Sequence, residues 1–97
     1  KIAQEHAALV VGCGHAGDGN VHLAVFHGEK PVQRAVTKAL LAAGVALGGA
    51  VSGEHGIGVA KKPYYLENES PIKVTLQKRI KAAFDPNGIL NPGTIFD

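Results

Sequence analysis

Methionine and tryptophan are absent from the 97 residues, and cysteine occurs once, as Cys13. A single cysteine excludes an internal disulfide and any CxxC metal site. Charge of one sign is also scarce. The formal net charge of +2 is too small to argue for nucleic acid or an anionic membrane as a partner. No apolar run approaches the roughly 18 residues of a membrane span, and no basic-then-apolar start resembles a signal peptide. The expectation is therefore a chain without nucleic-acid partners and without a transmembrane segment. The lack of any methionine, with Lys1 opening a helix-like segment, suggests a piece of something longer. Its length bounds it to a single domain over residues 1–97, with a small core and a large surface for its volume.

Against these absences stand thirteen glycines and five histidines, which punctuate the chain. Residues 1–7, "KIAQEHA", have no breaker and read as the end of a helix. Leu9 to Gly14 is short, apolar and β-branched, and reads as a strand. "HAGDGN" is turn chemistry, and Asp18 is expected to accept backbone N–H bonds there rather than to serve a metal. Val21 to His27 reads as the return strand, with Val21, Leu23 and Val25 on one face. Pro31 suits a first helical turn. Val32, Val36, Ala39, Leu40, Ala43 and Leu47 then recur at helical spacing up to Gly48-Gly49. A glycine-rich loop, Gly49 to Gly58, and a short "KKPYYLE" segment follow. Ser70-Pro71 reads as an N-cap with proline behind it, and Ile72, Leu76, Ile80 and Ala83 as the buried stripe of a last helix. "DPNGILNPGTIFD" reads as two turns around Ile89-Leu90. The order predicts an α+β fold: an antiparallel sheet with a histidine-bearing hairpin, covered by helices.

Gly12, Gly14 and Gly17 spell G-x-G-x-x-G after an apolar run, the pattern of a dinucleotide-binding loop. That fingerprint needs its last glycine to open a helix, whose N-terminus receives the pyrophosphate. Here Gly17 precedes Asp18-Gly19-Asn20 and a second strand. The fingerprint also wants an acid about 20 residues on for the ribose, and Val32 to Val51 contains none. The match fails on both tests.

The same stretch places His15 and His22 on either side of the turn. Residues equidistant from a hairpin turn face each other across the strands, so the two imidazoles are expected to meet. Such a pair can hold a metal through two nitrogens, although hairpin histidines also occur as plain polar groups. In "SGEHGIG", Gly53, Gly56 and Gly58 bracket Glu54 and His55, and glycine allows close backbone approach to a ligand. Two histidines and one carboxylate, here His15, His22 and Glu54, form the ligand set of a catalytic divalent-metal site that keeps open positions. His55 is then left over as a base.

"GHAGDGNVH", "SGEHGIG" and "FDPNGILNPG", in that order and spacing, resemble the C-terminal part of FAD-linked oxidases of the vanillyl-alcohol-oxidase type. Glycolate oxidase flavoprotein subunits, D-lactate dehydrogenases and D-2-hydroxyglutarate dehydrogenases are the members most alike. The resemblance runs from about Ala8 to Thr94. It implies the C-terminal fragment of a larger cap domain that covers the flavin ring and supplies the substrate site, with FAD held mainly by an N-terminal domain outside this chain. It implies a divalent metal, usually zinc, on His15, His22 and Glu54, and His55 as the group that takes the proton from the substrate hydroxyl. Asn91 matches a position close to the flavin.

The implied reaction is coherent. A 2-hydroxy acid chelates a metal through hydroxyl and carboxylate, the metal stabilises the alkoxide, and a histidine neutral near pH 7 is a suitable base. The C2 hydrogen then leaves as hydride to the flavin. Two positions depart from the family pattern: Ala24, where many members carry a polar residue, and Thr94, where many carry lysine. The arginine that some members use to grip the substrate carboxylate lies upstream of the matching segment. The partners implied are a small 2-hydroxy acid and the FAD-binding domain. The location implied is cytoplasmic, or peripheral to a membrane electron-transfer chain. Two other readings stay open on the residues alone: a stand-alone metal- or ligand-binding module, and a small α+β domain whose histidines are surface polar groups.

Overall fold

A computed structural model of the chain describes residues 1–96. They form two compact units, one over Lys1–Glu54 and a second beginning at His55.

The first unit has the expected order. Helix α1 (Ile2–Glu5) is followed by strand β1 (Leu9–His15), a 3₁₀ turn over Ala16–Asp18, strand β2 (Asn20–Phe26) and helix α2 (Lys30–Ala46). The α+β class holds, with β1 and β2 forming a two-stranded antiparallel sheet. Helix α1 is a single turn, because Ala7 turns out of it at a φ of +50°. Helix α2 carries proline in its first turn, where a missing N–H costs nothing. It ends at the glycine pair as expected: Gly48 takes a φ of +91°, its N–H reaches Val45 O, and the Gly49 N–H reaches Gly44 O. These are the two bonds of a Schellman ending, and they satisfy carbonyls the helix would otherwise leave open.

Helix α2 packs on α1 and on β2 and contributes Val36, which is fully buried. The cross-strand pair Val10 and Val25 is half-buried, whereas Val21 and Leu23 on the same face are exposed. The cover therefore reaches the end of the hairpin remote from the turn and leaves the turn end open. The turn closes with Gly19 at a φ of +67°, its N–H bonded to Ala16 O. Asp18 is exposed and, among the described residues, accepts no hydrogen bond. The expected role for its side chain is thus corrected: the 3₁₀ backbone makes the turn by itself.

The glycines of the G-x-G-x-x-G pattern have steric causes in this hairpin. A Cβ on Gly14 would lie 2.1 Å from Asn20 O and 3.0 Å from Val21 Cα. One on Gly12 would lie 2.7 Å from a Leu23 methyl and 3.0 Å from His22 O, while one on Gly17 would meet nothing within 4 Å. Two of the three glycines let the strands close on each other, and strand β2 stands where a dinucleotide site needs a helix.

In the second unit, "KKPYYLE" becomes a true helix, α3 (Lys62–Asn68), and α4 spans Pro71–Phe84. Tyr65 is buried, and its hydroxyl donates to Gln77 Oε1 (2.6 Å), tying α3 to α4. Ser70 occupies the N-cap position of α4 but makes no capping bond with its side chain. Instead its own N–H donates to Glu69 Oε1 (3.0 Å). The buried stripe assigned to α4 is also corrected. Ile72, Leu76 and Ile80 are 83%, 56% and 51% exposed. The half-buried face is Val74, Gln77 and Lys81, on roughly the opposite side at 3.6 residues per turn. On that face Val74 is joined by two polar side chains with partners: Gln77 accepts from Tyr65, and Lys81 donates to Asp85 and to Leu90 O.

Residues 85–96 make the two expected turns, closed by Gly88 N–H to Asp85 O and Thr94 N–H to Asn91 O; Asp97, the last residue of that segment, lies outside the described residues. Asp85 ends the helix and is buried. Lys81 donates to its Oδ2, the Leu90 N–H to the same oxygen (3.0 Å) and the Ile89 N–H to Oδ1 (3.1 Å). The Lys81 hydrogen bond above all, with the two backbone N–H groups, holds the Asp85 carboxyl below the usual carboxylate range. No helix among the described residues is long and apolar enough to cross a membrane.

Two measurements test these constraints. Gly14→Ala should destabilise the hairpin by about 1–3 kcal/mol, the cost of forcing an atom into packed structure. Gly17→Ala should change little, and urea denaturation of the two variants should separate them. Because Asp85 is ionised more readily folded than unfolded, its support of the turn is complete above about pH 4 and lost as the pH falls through the lowered value. The Ile89 and Leu90 amide resonances should therefore titrate together, with a midpoint below that of an ordinary aspartate.

Candidate functional site

The register of the hairpin decides which side chains meet. Cys13 lies opposite His22, and His15 lies opposite Asn20. His15 and His22 therefore do not face each other as expected. The three-residue 3₁₀ turn and Gly19 set the pairing two residues out of step with that expectation. Cross-strand partners share a face, so Cys13, His15, Asn20 and His22 all lie on one side of the sheet, with the two histidines diagonal.

The glycine-rich loop returns to this face. A Cβ on Gly53 would stand 2.5 Å from Asn20 Oδ1, so glycine is what lets the backbone lie against the Asn20 amide. The next residue, Glu54, reaches His22: His22 Nε2 donates to Glu54 Oε1 at 2.5 Å across 32 residues of sequence. A carboxylate only accepts, so this contact assigns the proton to Nε2. Both side chains remain solvent-accessible, at 37% for His22 and 46% for Glu54. Asn20 is a site residue that the sequence reading took for turn chemistry alone. Its one legible signal is its place two residues before His22 on the same strand, which puts both side chains on one face.

Two other histidines are accounted for by local backbone. His6 Nδ1 is bonded to Ile2 O (2.9 Å), and His27 Nδ1 accepts the Glu29 N–H (3.0 Å). His15 is exposed at the end of β1 and does not join His22 and Glu54 in one group of ligand atoms within 4.8 Å of one another. His55 follows Glu54 in the chain and opens the second unit.

An imidazole nitrogen beside a carboxylate oxygen, both open to solvent, is a donor set that suits zinc. Two ligands of one tetrahedral ion stand about 3.4 Å apart at ordinary bond lengths of about 2.0–2.2 Å. Binding an ion there means replacing the proton that His22 and Glu54 share and parting the two atoms by about 1 Å. The donor chemistry fits a divalent metal, and the spacing is that of the pair in its hydrogen-bonded state.

Within the second unit, the loop that carries His55 and the loop that carries Asn91 are joined. Gly56 and Gly58 take φ values of +77° and +59°, and Gly58 O accepts the Ile95 N–H (2.9 Å). Lys62 Nζ adds a bond to Gly93 O (3.2 Å). Asn91 sits in the left-handed region at a φ of +47°, and its carbonyl accepts both the Thr94 N–H and the Thr94 hydroxyl (2.6 Å). Its side chain is exposed and makes no hydrogen bond among the described residues. An open amide offers a donor and an acceptor together, which suits the alternating N–H and C=O edge of an isoalloxazine ring.

Residues 1–95 match the family described as FAD linked oxidases, C-terminal domain. An uncharacterized FAD-linked oxidoreductase of Mycobacterium tuberculosis is 54% identical over 95 residues, covering 98% of this chain and 21% of its own. A D-lactate dehydrogenase of Archaeoglobus fulgidus is 43% identical over 97 residues, with 98% and 22% covered. A D-2-hydroxyglutarate dehydrogenase of Stutzerimonas stutzeri is 37% identical over 94 residues, with 90% and 20% covered. The chain thus spans about a fifth of the length of these relatives.

Proposed function

The chain belongs to the FAD linked oxidases, C-terminal domain family, and from that premise we propose that it is the substrate-binding cap portion of a flavin-dependent enzyme that oxidises a small 2-hydroxy acid. The observation that carries this reading is the His22–Glu54 pair. It is assembled from two glycine-framed segments on one face of the hairpin, and the bond between Gly58 and Ile95 joins the His55 loop to the Asn91 loop.

In this reading His22 and Glu54, with His15 as third donor, hold a divalent cation. Such an ion supplies Lewis acidity toward the substrate hydroxyl and carboxylate. His55 takes the hydroxyl proton as general base, since an imidazole is neutral and basic near pH 7. Glu54 is committed to His22 and the cation and does not compete for that proton. Asn91 faces the flavin, which supplies the two-electron acceptor when bound. Ala24, two residues after His22, offers the substrate no hydrogen bond. The reading therefore favours a short hydroxy acid of the glycolate or D-lactate kind over one whose second carboxylate needs a polar partner there.

The full-length parent protein tests this directly. Anaerobic addition of D-lactate or glycolate should bleach its flavin absorbance. His55→Ala should keep flavin and metal yet slow that bleaching by about 10²–10⁴-fold, with the loss falling on kcat. Near-normal turnover in that variant at full flavin occupancy would remove His55 from the reaction. Zinc binding should weaken strongly in both His22→Ala and His15→Ala. Equal zinc affinity of wild type and His15→Ala, measured by competition with a chelating dye, would strike His15 from the ligand set.

A further inference from the structure

Asp85 is buried, with 7% of its surface exposed, and the reaction proposed above makes no use of it. Its two oxygens are fully engaged: Oδ1 by the Ile89 N–H, and Oδ2 by the Leu90 N–H and by Lys81. Lys81 does more than neutralise this acid. Its ammonium also donates to Leu90 O (2.8 Å). Both backbone groups of Leu90 are thus clamped, the N–H by Asp85 and the carbonyl by Lys81.

The Leu90 carbonyl belongs to the same rigid peptide plane as the Asn91 nitrogen, so the Lys81 bond fixes the plane that enters Asn91. The plane that leaves it carries the Asn91 carbonyl, which Thr94 holds by its N–H and its hydroxyl. Asn91 is therefore locked on both sides in a left-handed conformation at a φ of +47°. That region is uncommon for a residue with a side chain, though asparagine tolerates it best. A non-glycine residue held there by bonds on both flanks, with its own amide left open, is a reason to look for a function of that amide. Only its two side-chain torsions remain adjustable.

We propose that Asp85, acting with Lys81, is a positioning residue of the flavin site: it sets the backbone that presents the Asn91 amide to the isoalloxazine ring. The proposal rests on the reading of Asn91 as flavin-facing. It assigns a role to a salt-bridged acid six residues away that touches neither flavin nor substrate. The pair acts by orientation, so its loss should register on the flavin itself and through Asn91.

The test uses the full-length parent, stripped of FAD and reconstituted. FAD affinity is read from quenching of flavin fluorescence, and the flavin environment from its visible absorption bands. Asn91→Ala should weaken FAD binding about 3- to 10-fold, the worth of one hydrogen bond, and shift the bands. Asp85→Asn and Lys81→Ala should each do the same, and Lys81→Arg should restore wild-type behaviour. The double variant Asp85→Asn/Asn91→Ala should be no weaker than Asn91→Ala alone, within about twofold, because both changes remove one contact. Hydrogen exchange over residues 86–95 should be faster in Asp85→Asn and Lys81→Ala than in wild type. If Asp85→Asn does not fold, Lys81→Ala, which leaves the bonds that the Ile89 and Leu90 N–H groups donate to Asp85, carries the comparison.

Faster exchange in Asp85→Asn and Lys81→Ala with unchanged FAD affinity and bands, while Asn91→Ala alters both, would reduce Asp85 to a helix-end brace and overturn the proposal. Effects that add in the double variant would overturn it too, since Asp85 would then act independently of Asn91. An Asn91→Ala protein with wild-type affinity and bands would instead remove Asn91 from the flavin site, and the proposal would fall with that reading rather than on its own account.

Discussion

The bond between His22 and Glu54 closes the first unit upon itself. It spans a strand, a 17-residue helix and the first part of a glycine-rich loop, and each of these must end where it does for the bond to form. The hairpin must pair in the observed register so that His22 shares a face with Asn20. Gly14 must be bare so that β1 can lie against the Asn20 carbonyl. Helix α2 must stop at Gly48-Gly49, and Gly53 must be bare so that the returning backbone can rest on the Asn20 amide. The pair itself is half open to solvent and contributes little to stability as an ion pair. Its importance lies in joining a nitrogen and an oxygen donor that the sequence holds far apart.

The second unit is organised by a different contact of the same kind. A buried carboxylate, Asp85, collects two backbone N–H groups and the Lys81 ammonium at the end of α4. The Tyr65–Gln77 bond ties α3 to the same inward side of α4. Burying a charge is costly unless it is paired and hydrogen-bonded, and here every oxygen is satisfied. The turn that carries Asn91 is thus held by charge-assisted bonds rather than by apolar packing.

Little of the chain's apolar surface is used within these two units. Val36 is fully buried and Tyr65 nearly so, while Ile72, Leu76, Phe84, Val21 and Leu23 are among the exposed large apolar side chains. A regular stripe left open on α4 is more than the scatter of single apolar residues found on ordinary surfaces. It accords with the proposed place of the chain within an enzyme about five times its length.

The sequence by itself determined the family and every element except α3, whose segment carries no clear helical signal. Period-two and helical spacings, Pro31 and the Gly48-Gly49 stop are local properties, and local propensity and turn chemistry suffice to read them. Three motifs in order sufficed for the relationship to FAD-linked oxidases, and the missing helix after Gly17 sufficed to reject a dinucleotide loop. Tertiary structure alone decided who meets whom. The offset that sets His15 against Asn20 comes from the 3₁₀ geometry of a turn whose residues permit several. The inward side of α4 was misread because hydrophobic periodicity marks the face that seeks burial, whereas Gln77 and Lys81 found polar partners on the other side. Asp85 looked like one letter of a turn motif, because the bonds that make it a hub run to backbone groups, which every residue carries and no sequence displays.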